Sequence, residues 1–73
     1  MIEIARALKA HRKKLGLSQK HAAEGIGISY STVFTVEHGR HPTRRTVRKI
    51  ATWMGLDCNN WNEIEPLYRE IDE

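Results

Sequence analysis

This chain is poor in the features that staple, anchor or metallate small proteins. Cys58 is the lone cysteine among 73 residues, which excludes an internal disulfide and fits a reducing cytosol. No apolar run approaches the roughly 20 residues of a membrane span, and the N-terminus lacks the apolar stretch of a signal peptide. Neither a membrane nor a secretory route is expected. Zinc-spaced cysteine pairs are missing, and His11, His21, His38 and His41 supply no pair four apart on one helix. His38 and His41 are three apart, but Gly39 and Pro42 put a loop between them. No metal or other cofactor is expected. No Ser/His/Asp set or paired carboxylates point to catalysis, and so small a core leaves little room for a pocket. The chain does not read as an enzyme.

What is present suits one small domain. Hydrophobic residues make up 40% and charged residues 29%, which argues against wholesale disorder. A chain of this length buries only about 60% of its unfolded surface, so it is expected to be marginally stable and to lean on a partner. The net charge is +3 but lopsided. Residues 1–56 hold eleven Lys or Arg against three acids, a net +8, whereas residues 57–73 hold six acids against Arg69, a net −5. That split suggests a basic surface facing a polyanion and an acidic end turned away from it.

Five helical patterns follow one another, with no repeat, linker or low-complexity segment and nothing that reads as a strand. The first, over residues 2–14, places Ala5, Leu8 and Leu15 at helical spacing with Ile4 alongside. Gly16 is placed to end it. Ser18 can cap a second helix with Ala22, Ala23 and Ile26 inside, and Ser29 a third with Val33 and Val36 inside. Thr43 can cap a fourth, whose Val47, Ile50, Ala51 and Met54 follow the i, i+3, i+4, i+7 rule. Caps between residues 57 and 60 can start a fifth helix presenting Trp61 and Ile64. Pro66 then either kinks it or opens a further turn carrying Leu67, Tyr68 and Ile71. The fold class expected is all-α, a compact bundle of about five short helices. The second and third helices, joined by Gly27-Ile28-Ser29, make a helix-turn-helix whose second member is sized for a major groove.

Leu15-Gly16-Leu17-Ser18-Gln19, Ala23, Gly27-Ile28-Ser29, Ser31-Thr32-Val33, Val36-Glu37 and Gly39-Arg40 together resemble the DNA-binding domain of the Cro and phage-repressor family. The likeness runs on through Pro42 to Gly55-Leu56, with every gap length kept. It implies a lambda-repressor-like domain over residues 1–56, followed by an acidic helical segment, residues 57–73, that completes the core and contacts a second copy. It also implies double-stranded DNA as partner, homodimer formation and a cytoplasmic, nucleoid-associated protein.

The resemblance assigns roles residue by residue. Arg12 and Glu37 match a structural ion pair, read here as partly buried rather than as a surface pair. Gln19 matches a glutamine that touches a phosphate and braces the start of the recognition helix. Tyr30, Ser31 and Thr35 match positions that point into the groove, with Thr32 and His38 at phosphates or base edges. Arg40, His41, Arg44 and Arg45 ride the backbone, while Arg48 and Lys49 read as solvated. Ile28, Val33 and Val36 would fasten the third helix to the first, second and fourth. Trp61, Ile64, Leu67 and Tyr68 are the expected dimer contacts.

Three departures stand out. The outer face of the third helix has no Gln, Arg or Asn; it has Tyr30 and Phe34, one turn apart. Phe34 either forms an apolar ridge with Tyr30 that can touch thymine methyls or leans back onto the second helix. His21 stands where the family often has Glu, which removes the reciprocal capping box. Gly25 falls inside the second helix and should weaken it by about 0.5–1 kcal/mol relative to Ala. The function expected is a transcriptional regulator, a repressor on a pseudo-palindromic operator. The alternative is a protein-binding module, an antitoxin or transcriptional adaptor, served by the acidic aromatic tail.

Overall fold

Helices in this chain start where a short side-chain oxygen can take a first-turn amide proton. In the computed structural model, which describes residues 2–69, Ser18 Oγ accepts from His21 N at 3.1 Å and opens α2 (Gln19–Ile26). Ser29 Oγ accepts from Thr32 N and opens α3 (Tyr30–Glu37). Thr43 does the same for α4 (Arg44–Trp53), and Asn60 for the short α5 (Trp61–Ile64). The first helix, α1 (Glu3–Lys14), has no such cap. Instead the Glu3 amide donates to the Arg69 carbonyl at 2.7 Å, so the far end of the chain supplies the missing acceptor.

Glycines at positive φ follow each of the first four helices. Gly27, at φ +89°, takes the left-handed conformation that ends α2, its amide donating to Ala23 O at 2.9 Å. A Cβ would penalise that backbone, so the turn into α3 depends on glycine.

The core draws Ile4 and Leu8 from α1, Ala22, Ala23 and Ile26 from α2, Val33 and Val36 from α3, and Val47, Ile50 and Ala51 from α4. α3 rests on α1 and α2, and α4 packs on α2. α1 and α2 make the broader contacts with α3, and Val33 and Val36 share one core cluster with Val47 and Ile50 of α4. Leu15 is not on the inner face as its spacing suggested. It is the C-cap of α1, still in right-handed conformation with its amide on His11 O, yet it is 51% exposed, and the chain leaves the helix at Gly16, φ +70°.

After α4 the chain turns through Gly55 and reaches the four residues of α5, which pass directly into a 3-10 turn, Glu65–Tyr68. Pro66 stands in the first turn of that element, where its missing N–H is harmless. Ile64 and Leu67 are driven into the core, at 6% and 5% exposure. Ile71, expected to continue that apolar set, lies outside the described residues. The molecule is all-helical with no β-strand among the described residues, and it measures 28 × 28 × 22 Å.

Candidate nucleic-acid interface

Val33, Val36 and Glu37 occupy the inner side of α3, and burying a carboxylate there needs partners. Arg12 supplies them: its Nε donates to Glu37 Oε2 at 2.8 Å and a terminal nitrogen to Oε1 at 3.0 Å. Its remaining nitrogen donates to the Leu17 carbonyl at 3.0 Å. The two side chains are only 13% and 2% exposed, so this is a buried two-pronged pair. The hydrogen bond to Glu37 raises the Arg12 pKa, with the carboxylate charge adding to it against the cost of burial. Gln19 Nε2 also donates to Glu37 Oε1, at 3.2 Å. The glutamine thus braces the C-terminal end of α3, not its start, because Ser29 already holds the start.

With its inner side fixed, α3 turns two stripes outward. One carries hydroxyls. Ser29 Oγ lies 2.7 Å from Thr32 Oγ1 and 3.2 Å from Ser31 Oγ, and Thr35 Oγ1 donates to the Thr32 carbonyl at 3.1 Å. Ser31, Thr32 and Thr35 line a groove of about 460 Å³ whose other wall is Arg40, His41, Pro42, Thr43 and Thr46. The groove therefore joins Ser31 and Thr35, two of the three expected base-facing residues, to the loop and the start of α4, while Tyr30 lies outside it.

The second stripe is aromatic. Tyr30 and Phe34 are 51% and 43% exposed, with rings stacked at 6.4 Å between centroids. Phe34 stacks in turn on His38, at 4.1 Å and 26°. His38 Nδ1 is 2.7 Å from the Phe34 carbonyl, an oxygen that only accepts, so Nδ1 carries the proton and donates. Phe34 therefore stands outward on α3 and does not lean onto α2. The part of His38 in this column was missed, although positions 30, 34 and 38 share one helical face by spacing alone.

Arg40, His41, Arg44 and Arg45 are all exposed; Arg40 and His41 line the groove, whereas Arg44 lines a separate hollow with Arg48, Trp61 and Tyr68. Arg48 and Lys49, expected to be solvated, are exposed but reach Asn59 Oδ1 at 3.4 Å and the Gly27 carbonyl at 3.5 Å. At the other end, Trp61 is 56% exposed and stacks on Tyr68 at 5.6 Å. Of the four expected dimer contacts, Ile64 and Leu67 are committed to the core, which leaves Trp61 and Tyr68 able to meet a partner. The Cys58 thiol accepts from Thr52 Oγ1 at 3.4 Å, which lowers its pKa, with Arg48 adding to the effect against burial.

Among the described residues no three His, Cys, Asp or Glu side chains gather as a metal would require. Nor is any helix among them long and apolar enough to cross a membrane. A helix-turn-helix family model matches residues 8–58 of this chain. An uncharacterized HTH-type transcriptional regulator from Methanothermobacter thermautotrophicus is 37% identical over 51 residues, spanning 68% of this chain and 74% of the relative. No solved structure matches.

Proposed function

Since the chain belongs to the Cro and phage-repressor type of helix-turn-helix family, we propose that it is a sequence-specific transcriptional repressor that binds a pseudo-palindromic operator as a homodimer. The observation that carries this reading is the state of α3. Its inner side is locked by the buried Arg12–Glu37 pair, while its outer side projects rings and hydroxyls, and the loop and α4 start that follow it carry exposed Arg40, Arg44 and Arg45. A short helix held this way can enter a major groove while flanking cations meet phosphates.

In this reading Tyr30, Ser31, Thr35 and Phe34 face base edges. Gln19, Thr32, His38, Arg40, His41, Arg44 and Arg45 serve phosphates and groove walls. The dimer places two copies of α3 about 34 Å apart, one helical turn of DNA. Trp61 and Tyr68 supply the contact between copies, with Ile64 and Leu67 supporting them from the core. Repression follows from covering a promoter.

The test is titration of the purified chain into duplex DNA from its own upstream region at several salt concentrations, with footprinting. Operator binding predicts two protected half-sites and a log–log salt slope near −0.9 per phosphate neutralised. Tyr30→Ala or Thr35→Ala is expected to erase sequence preference, whereas Arg44→Ala weakens all duplexes alike. A module serving only as an antitoxin or adaptor instead shows weak, sequence-indifferent binding.

A further inference from the structure

We propose that the aromatic stripe of α3 reads C5-methyl groups of pyrimidines in the major groove, with Phe34 making the discriminating contact. This rests on α3 being the DNA-facing helix and goes further by naming the chemical feature it selects.

The hydroxyl stripe spends donor capacity within the protein. A hydroxyl has one proton to give, and that of Thr35 goes to the Thr32 carbonyl, so toward a base edge Thr35 offers an acceptor, not a donor. Ser29, Ser31 and Thr32 lie within hydrogen-bond distance of one another through Ser29, which also caps the helix. No Asn, Gln, Arg or Lys occurs between Tyr30 and Glu37, so α3 has no side chain able to grip one base edge with two hydrogen bonds.

What it offers is a column of rings. Phe34 is held between Tyr30 and His38, and the His38 bond to the Phe34 carbonyl fixes the last ring over it. A phenyl ring has no strong donor or acceptor. Its complement on a base-pair edge is the methyl group of thymine, or of 5-methylcytosine. The exposed Arg40, two residues beyond His38, and the basic excess of residues 1–56 favour a polyanion over an apolar protein surface as occupant.

The experiment selects the preferred duplex of the full chain from a random pool, then replaces each thymine in turn with uracil. This deletes the methyl and leaves the hydrogen-bonding edge intact. At one or two positions per half-site, uracil is expected to weaken binding about fourfold, the effect of one buried methyl-sized group. At those positions 5-methylcytosine should outbind cytosine. Phe34→Ala should erase the thymine–uracil difference and Phe34→Leu should retain most of it, both at an exposed site where the helical circular dichroism is expected to persist. Equal affinity for thymine and uracil duplexes overturns this inference and leaves DNA binding standing. Undiminished discrimination by Phe34→Ala also overturns it. A chain that binds no duplex even in dilute buffer overturns this and the repressor reading together.

Discussion

Glu37 is the one buried charged residue among the described residues. Its environment explains why it is tolerated: two bonds from Arg12 and one from Gln19 converge on its carboxylate. Removing one member should leave an uncompensated charge. Glu37→Ala is therefore expected to lower stability by about 3–5 kcal/mol in urea unfolding, while Arg12→Met with Glu37→Met should recover most of the loss. A single-variant loss under about 1 kcal/mol would mean that the pair behaves as a surface ion pair. The pairing of Arg12 with Glu37 was legible from the family likeness. The destination of Gln19 was not, because a position in the first turn of a helix does not say which way a long amide swings. Cys58 presents a similar case. Its donor, Thr52, lies six residues earlier, across the turn at Gly55, and no local spacing rule pairs them. The hydroxyl stabilises the thiolate and so lowers the thiol's pKa. Thr52→Val should raise it, slowing Cys58 alkylation at neutral pH and moving the rate profile toward higher pH. An unchanged profile would assign the shift to Arg48 instead.

Between elements, α2 shows best what periodicity conveys and what it misses. Its cap at Ser18, its inner face and its termination at Gly27 follow from residue type and spacing. Gly25, by the same logic, looks like a mere weakness. In three dimensions it faces α4: a Cβ there would meet Trp53 Nε1 at 3.0 Å, and the same indole packs edge-on against His11 at 5.0 Å. Glycine thus makes room for a ring joining α1, α2 and α4, a fact that depends on how α4 crosses α2. Two glycine substitutions in this element should differ accordingly. Gly27→Ala forces a side chain into left-handed backbone at φ +89° and is expected to cost about 1–2 kcal/mol. Gly25→Ala gains helix propensity but crowds Trp53, so its benefit should fall short of the about 0.5–1 kcal/mol that propensity alone gives. In a Trp53→Leu background the full benefit should appear. Urea unfolding of the four chains in that cycle measures the coupling, and its absence would show that the indole yields freely.

Considered whole, the molecule closes on itself through its last described residues. The first four helices leave a face open, and Ile64 and Leu67 fill it, while the Arg69 carbonyl takes the Glu3 amide proton at the start of α1. That closure was only half legible. An apolar tail after four helices can serve a core or a second copy, and the choice depends on what those helices leave uncovered. The burial of two large aliphatic side chains is worth roughly 1.5–3 kcal/mol each, a large share of the 5–15 kcal/mol typical of a whole domain. A chain ending at residue 60 is therefore expected to lose its cooperative thermal transition, whereas one ending at residue 69 should keep it. Leu67→Ala in the full chain should cost about 2–5 kcal/mol. Trp61→Ser supplies the contrast, because its side chain is outside the core. It should leave the melting of the monomer nearly unchanged and weaken self-association in sedimentation. If Trp61→Ser instead destabilises the isolated subunit as much as Leu67→Ala, the indole belongs to the fold, and the contact between copies must lie elsewhere.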